Sequence, residues 1–220
     1  MIEDTYIKEL EDKPIKLILF SGGIDSTYLL WYYLTKTDYQ IITLHVDLRV
    51  SYNERWKYEN YAVENIINYC KNNYRDFYHS KIILDIRNFS DGEFEIPAAA
   101  FLGSFIARSL STIDSLTIND GELDYKVRAP EVSILMGFIE EDNVSKNSIN
   151  DKIIELITKE YSNIKSEVEK PILSKNKSEI IKEIPPSLLK YTWSCRAPIN
   201  GEPCGECDTC ILIRDSMENL

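Results

Sequence analysis

Ile15-Lys16-Leu17-Ile18-Leu19-Phe20-Ser21-Gly22-Gly23-Ile24-Asp25-Ser26-Thr27 decides the fold of this 220-residue chain. Ile15 to Phe20 is a short apolar run with little alternation, the pattern of a strand buried on both faces of a parallel sheet. Past the glycines the period changes. Thr27, Tyr28, Leu30, Trp31 and Leu34 recur as the apolar stripe of a helix starting near Ile24. A strand, a glycine turn and a helix follow one another, and at such a turn backbone N–H groups and the helix dipole bind anions. Adjacent Gly22 and Gly23 let the main chain approach a phosphate closely, while Ser21, Ser26 and Thr27 add hydroxyl donors. A tight turn capped by Asp25 and Ser26 is the plainer reading; SGGxDS directly after a buried first strand favours the phosphate cradle. The sequence has neither GxxxxGK followed by Ser or Thr nor GxGxxG.

Working outward, Ile41 to Val46 repeats the buried-strand pattern, and Trp56 to Asn73 reads as a helix through Tyr58, Ala62, Ile66, Ile67 and Cys70. Lys81 to Ile86 reads as a third strand, Pro97 to Ser109 as a buried helix and Ser115 to Ile118 as a fourth strand. Strands alternating with helices predict a Rossmann-like doubly wound parallel α/β sheet. Beyond Pro130 the chain reads as polar and helical, with a loop at Asn143 to Ser148 and a helix at Ile149 to Tyr161. The expected division is a phosphate-binding α/β part over residues 1–170 and a small C-terminal helical, cysteine-bearing region over 171–220.

Lys and Arg number 25 against 36 Asp and Glu, a net charge of −11, with 44% hydrophobic residues. That is the composition of a soluble folded chain. Its apolar runs, such as Leu17 to Phe20 and Ile96 to Ala107, fall short of the ~20 residues of a membrane span. The acidic start MIEDTYIKELEDK lacks a secretory layout, so a cytoplasmic location is expected. The acidic surplus, spread as a solvated surface, argues against direct nucleic-acid binding.

Cys195 precedes Cys204, Cys207 and Cys210, the last three forming CxxCxxC. Four thiolates that close satisfy a tetrahedral zinc without leaving a position for water. Iron–sulfur ligation is the serious competitor, since spacing alone does not exclude it; a disulfide framework fits a cytoplasmic chain poorly. Cys70 reads as a small core residue.

Phe20 to Thr27, FSGGIDST, resembles the pyrophosphate loop of the N-type ATP pyrophosphatases, which implies an adenine nucleotide α-hydrolase-like fold. Thr192 to Cys195 (TWSC) with Cys204 to Cys210 (CGECDTC) resembles the zinc motif of the 7-cyano-7-deazaguanine synthase family. Pro171-Ile172-Leu173 with Lys177-Ser178-Glu179 resembles that family's PL…KxE segment. These three motifs span almost the whole chain in the family's order. The resemblance implies a ligase that turns 7-carboxy-7-deazaguanine, ammonia and ATP into the nitrile, in queuosine or related 7-deazaguanine biosynthesis. It implies ATP held by Phe20, Ser21, Gly22, Gly23, Ile24, Asp25, Ser26, Thr27, Tyr28, Leu29 and Leu30, with Mg²⁺ bridging phosphate oxygens. It implies catalytic roles for Asp25, Ser26 and Lys177, one zinc on the four cysteines, and a homodimer.

Three segments depart from that family's pattern. Ile96-Pro97-Ala98-Ala99-Ala100 stands for its VPGRN-like segment, Asp47-Leu48-Arg49-Val50-Ser51 for its DYGQRH-like segment, and Asp120 to Glu131 for its DxSGYPDCR-like segment. Asp120, Glu122, Asp124 and Arg128 are candidates for a guanine-like edge, with a charged surface loop as the plainer reading. The departures also admit a paralogue that stops at the amide or attaches the base to a protein or nucleic-acid partner. A tRNA-thiolation enzyme shares the loop but needs a cationic footprint.

Overall fold

The computed structural model describes residues 8–9, 14–50, 54–87, 95–112, 116–119, 124–127, 131–142, 156 and 166–218. In chain order the strands are β1 (Lys8–Glu9), β2 (Ile15–Leu19), β3 (Gln40–Arg49), β4 (Tyr78–Asp85), β5 (Leu116–Asn119), β6 (Asp124–Val127), β7 (Val132–Leu135) and β8 (Ser166–Glu169). The α-helices are α1 (Ile24–Lys36), α2 (Arg55–Asn73), α3 (Glu95–Thr112), α4 (Lys177–Glu183), α5 (Pro186–Leu189) and α6 (Asp208–Glu218).

Five strands form a wholly parallel sheet in the order β4-β3-β2-β7-β8. Period-two alternation sends Ile15 and Leu17 to one face and Ile18 to the other. Against the first face lie Ala107 and Leu110 of α3, with Ile42, Leu44, Val132 and Ile134. Against the second lie α1 and α2 through Tyr28, Leu29, Val63, Ile66 and the buried Cys70. Ile172, Ile180, Ile181 and Leu188 share this second core, so the segment leading into the C-terminal helices packs directly on α1.

The chain winds outward from β2 to β3 and β4, then crosses to β7 on the other side of β2. The strand order therefore reverses between β2 and β7. Outside the carboxyl ends of the strands at such a reversal, open α/β sheets leave a crevice where ligands bind.

Two expectations are corrected. The stretch read as a fourth parallel strand is β5, which pairs antiparallel with β6 in a separate sheet of order β1-β6-β5. Only residues 120–123 join β5 to β6, a connection suited to a hairpin and too short for a parallel crossover. The place beside β2 belongs to β7, in a region read as helical and polar. Its polar Ser133 is satisfied by Lys16 Nζ at 3.0 Å, and the same ammonium meets Glu169 of edge strand β8 at 2.7 Å. The expected loop at 143–148 lies outside the described residues, as does the expected helix at 149–161 apart from Leu156.

Both histidines of the chain sit among the sheet's strands, His45 in β3 and His79 in β4. Burial first, then nearby cationic side chains, holds His79 down to about 3; burial also lowers His45. An unfolded histidine takes up its proton near 6.5, well before folded His79 does. The stability this contributes is complete above pH 6.5 and is lost as pH falls from 6.5 towards 3. Urea titrations between pH 7 and 5 should show stability falling with acid, by up to about 1.4 kcal/mol per pH unit for each histidine. His79→Gln should flatten that slope by about one proton, and an unchanged slope would refute the assignment.

Candidate active site and metal centre

The turn after β2 is built by its own hydroxyls. The Thr27 hydroxyl donates to the Gly23 carbonyl at 2.7 Å, and the Gly23 N–H donates to Ser21 Oγ at 3.3 Å. Ser21 Oγ and Ser26 Oγ lie 3.2 Å apart. Gly22 takes φ +78°, and a Cβ there would lie 3.0 Å from Val63 Cγ2 of α2. Only glycine fits both the conformation and the space. Gly23 begins α1 with no side-chain cap of its own; the Ile24 N–H donates to Ser194 Oγ at 3.3 Å, and Asp25 and Ser26 of the helix's first turn line the crevice.

The turn after β7 approaches the same point. A Cβ on Gly137 would come within 3.2 Å of the Ser26 N atom. Between the two turns lies a cavity of about 260 Å³, lined among the described residues by Ser21, Gly23, Asp25, Ser26, Met136 and Phe138 at one end. Leu48, Val50, Trp56, Ile96 and Ala99 add apolar lining, Ile96 packing in one cluster with Met136 and Phe138. Arg55 Nε meets Glu59 at 2.6 Å on the first turns of α2, and Arg49 stacks over Trp56 at 4.5 Å. Buried His45 meets the Phe20 carbonyl through Nδ1 at 3.0 Å and Asn60 through Nε2 at 2.9 Å, fixing the carbonyl that opens the glycine turn. Against the effect of its burial, hydrogen bonds from Arg49 and Asn60 hold the Asp47 carboxyl below the usual range.

Lys177 begins α4, where Asn176 and Glu179 form a reciprocal capping box. Its side chain is 2% exposed and its Nζ lies 2.5 and 2.6 Å from the two oxygens of Asp25. Burial raises the Asp25 carboxyl, Lys177 pulls it down, and nearby Asp142 and Glu141 add to the rise. The Lys177 N–H donates to Glu141 at 2.9 Å. Of the expected site residues, the structure thus brings together Ser21, Gly22, Gly23, Asp25, Ser26, Thr27 and Lys177. Ile24, Tyr28, Leu29 and Leu30 turn their side chains into the core. Asp120, Glu122 and Arg128 lie outside the described residues, and Asp124 is described only as a residue of β6.

Cys195, Cys204, Cys207 and Cys210 bring their sulfurs within 4.8 Å of one another. Asn200 and Gly201 take left-handed conformations at the tip between the first two cysteines, and Gly205 does so between the second and third. Cys195 and Cys204 sulfurs are 3.6 Å apart, and those of Cys204 and Cys210 are 3.9 Å apart. A tetrahedron of thiolates at about 2.3 Å from one metal has edges of about 3.8 Å. Despite burial, N–H donors from Arg196 and Cys210 bring the Cys207 thiol down to about 6, whereas burial pushes Cys210 up to about 12. Four thiols this close do not all ionise without a compensating cation, so the donor set fits one tetrahedral metal.

Residues the sequence reading did not single out include Ser194, which accepts from the Ile24 N–H at 3.3 Å, and His45, Trp56, Phe138 and Arg196 of the cleft wall. A usable signal existed for Phe138: Ile134-Leu135-Met136-Gly137 is a second apolar run stopped by glycine.

The family model described as Queuosine biosynthesis protein QueC matches residues 125–220. The 7-cyano-7-deazaguanine synthase of Campylobacter jejuni subsp. jejuni serotype O:6 is 30% identical over 221 residues, spanning 93% of each chain. That of serotype O:2 is 30% identical over 219 residues, covering 89% of this chain and 90% of the relative. Among solved structures, the U34-tRNA thiolase NcsA from Methanococcus maripaludis with its 4Fe-4S cluster matches at TM-score 0.44 and 13% identity, covering 96% of this chain and 67% of that one.

Proposed function

The chain belongs to the 7-cyano-7-deazaguanine synthase family, and from that premise we propose that it converts 7-carboxy-7-deazaguanine, ammonia and ATP into 7-cyano-7-deazaguanine. The observation that carries the reading is the cleft at the strand-order reversal, walled by Ser21 and Gly23 of the FSGGIDST turn and by Asp25 and Ser26 of the first turn of α1.

A carboxylate is a poor electrophile because its leaving group would be oxide. In the proposed sequence a substrate carboxylate oxygen attacks the α-phosphorus of ATP and pyrophosphate leaves. Ammonia then attacks the acyl carbon, AMP departs, and loss of a proton gives the amide. The amide oxygen attacks a second ATP, again releasing pyrophosphate, and loss of AMP with the remaining N–H protons gives the nitrile. The turn holds the pyrophosphate portion through backbone N–H groups, Ser21 and Ser26, while buried Thr27 braces it through the Gly23 carbonyl. Lys177 fixes the Asp25 carboxylate and places positive charge beside the phosphates.

Mg²⁺ bound with the nucleotide would supply charge neutralisation at the phosphate oxygens. Glu141 Oε2, buried with no hydrogen-bond partner among the described residues, suits a cation there, as do the nearby Asp25 and Asp142. Zinc is proposed for the four cysteines, on the sulfur spacing of a single-metal tetrahedron. In a four-iron cluster each thiolate binds a different iron, which spreads the sulfurs. In this reading residues 1–170 hold the nucleotide, 171–220 form the helical zinc part, Asp120, Glu122, Asp124 and Arg128 meet the guanine-like edge, and the working form is a cytoplasmic homodimer.

The test is incubation with ATP, ammonia and 7-carboxy-7-deazaguanine, following every deazaguanine species by mass spectrometry. Nitrile and AMP should appear, and both should vanish in Asp25→Ala and Ser26→Ala. No AMP from the wild-type protein would remove the reading, and wild-type rates in both variants would remove the phosphate-loop assignment.

A further inference from the structure

The cysteine segment does more than close on a metal: its first arm lies on the phosphate turn. The Trp193 N–H donates to the Gly22 carbonyl at 2.9 Å, and Ser194 Oγ accepts from the Ile24 N–H at 3.3 Å. A Cβ on Gly23 would sit 3.4 Å from Ser194 Oγ, so the arm and the turn are in contact. Trp193 is held there by its ring stacked on Tyr58 of α2 at 4.7 Å. Cys195 follows, 3% exposed, and Arg196 comes next and lines the same cleft as Ser21, Gly23, Asp25 and Ser26.

Arg196 is oriented from the metal side as well. Its backbone N–H faces the Cys207 sulfur. Its Nε donates to Thr209 Oγ1 at 3.3 Å, and Thr209 stands between the ligands Cys207 and Cys210 on the first turn of α6. Among the described charged residues of the cleft wall, Asp25, Glu59 and Asp142 are acidic and Arg55 and Arg196 basic. Arg55 is engaged with Glu59, and the ammonium of Lys177 with Asp25. Because the cysteine arm bonds to Gly22 and Ile24 and Arg196 lines the same cleft, a polyphosphate brought to the turn meets Arg196 on the side where that arm lies.

We infer that Arg196 is a phosphate-binding residue: its guanidinium, carried to the cleft by the cysteine segment, grips the nucleotide's phosphate oxygens from the side of the glycine turn on which that segment lies. The inference rests on the ATP reading above. A guanidinium offers planar paired donors to phosphate, which an ammonium does not reproduce. Ser194 completes the arm as a hydroxyl at the start of α1.

Binding of ATP, pyrophosphate and adenosine to the full-length, metal-replete protein tests it, measured by calorimetry for wild type, Arg196→Ala, Arg196→Lys and Ser26→Ala. Arg196→Ala should weaken ATP and pyrophosphate by about 10- to 100-fold, the range of a lost charge-assisted contact, and leave adenosine within about twofold. Arg196→Lys should recover part of the loss, with metal content and melting temperature unchanged in both variants. Wild-type ATP affinity in Arg196→Ala, with binding lost in Ser26→Ala, would overturn the inference and spare the ATP reading. Equal loss of adenosine would also overturn it, because Arg196 would then shape the cleft and not hold phosphate. A wild-type protein that binds no ATP would sink the ATP reading, and the inference with it.

Discussion

Cys207→Ser is expected to lose its metal and a large part of its folding stability together. A structural zinc contributes its binding energy to folding, roughly 10–16 kcal/mol in isolated zinc-finger peptides. Here two hydrophobic clusters that include none of the four cysteines also hold the fold, so the expected loss is smaller, on the order of 5 kcal/mol. At roughly 2–4 °C per kcal/mol for a chain of this size, the melting temperature should fall by at least about 10 °C. The damage should reach the phosphate turn, because Trp193 and Ser194 are chain neighbours of Cys195 and bond to Gly22 and Ile24. Metal analysis beside calorimetry decides it. A Cys207→Ser protein that keeps one equivalent of metal and the wild-type melting temperature would refute the four-thiolate site. One zinc per chain in the wild type supports the proposed metal, whereas iron and inorganic sulfide would replace it with a cluster.

The legible and illegible parts of the sequence differ in physical kind. IKLILF followed by SGGIDST could be read because a fully buried strand and an amphipathic helix have distinct periods, and because a glycine pair at their junction has few uses. The cysteines could be read because ligand spacing is local. β7 escaped because it is four residues long and its polar Ser133 is satisfied by Lys16, 117 positions away. β8, SEVE, escaped because an edge strand tolerates charge. Missing both obscured the reversal of strand order, and with it the position of the cleft. Lys177 was singled out, but its partner was not legible: Asp25 lies 152 positions earlier, and only the packing of α4 against α1 joins them. The same holds for Arg196, whose place in the cleft wall follows from the docking of the cysteine arm on the turn.

Lys177→Met is expected to damage stability and turnover in a pH-dependent way. The ammonium is 2% exposed and Asp25 26% exposed, and the substitution removes the cation while the carboxylate stays. Breaking a buried ion pair from one side costs about 3–5 kcal/mol, and the partial exposure of Asp25 brings the expected cost below that range, to about 2–3 kcal/mol. Burial already raises the Asp25 carboxyl above 3.8 with Lys177 in place, and without that cation it rises further. A carboxyl raised in the folded state binds its proton more tightly than the unfolded chain does. The variant's deficit should therefore be largest at neutral pH and shrink as pH falls through the raised value. Urea unfolding at pH 7 and pH 5, each referred to the wild type, measures that sign. Lys177→Met with Asp25→Asn should recover most of the stability, because no charge is then left without its partner, while ATP-dependent turnover stays at least about 100-fold down, the scale of a misplaced catalytic group. Recovery of stability without turnover is the signature of a pair kept for the phosphate site. A single variant as stable and as active as wild type at pH 7 would remove Lys177 from that site.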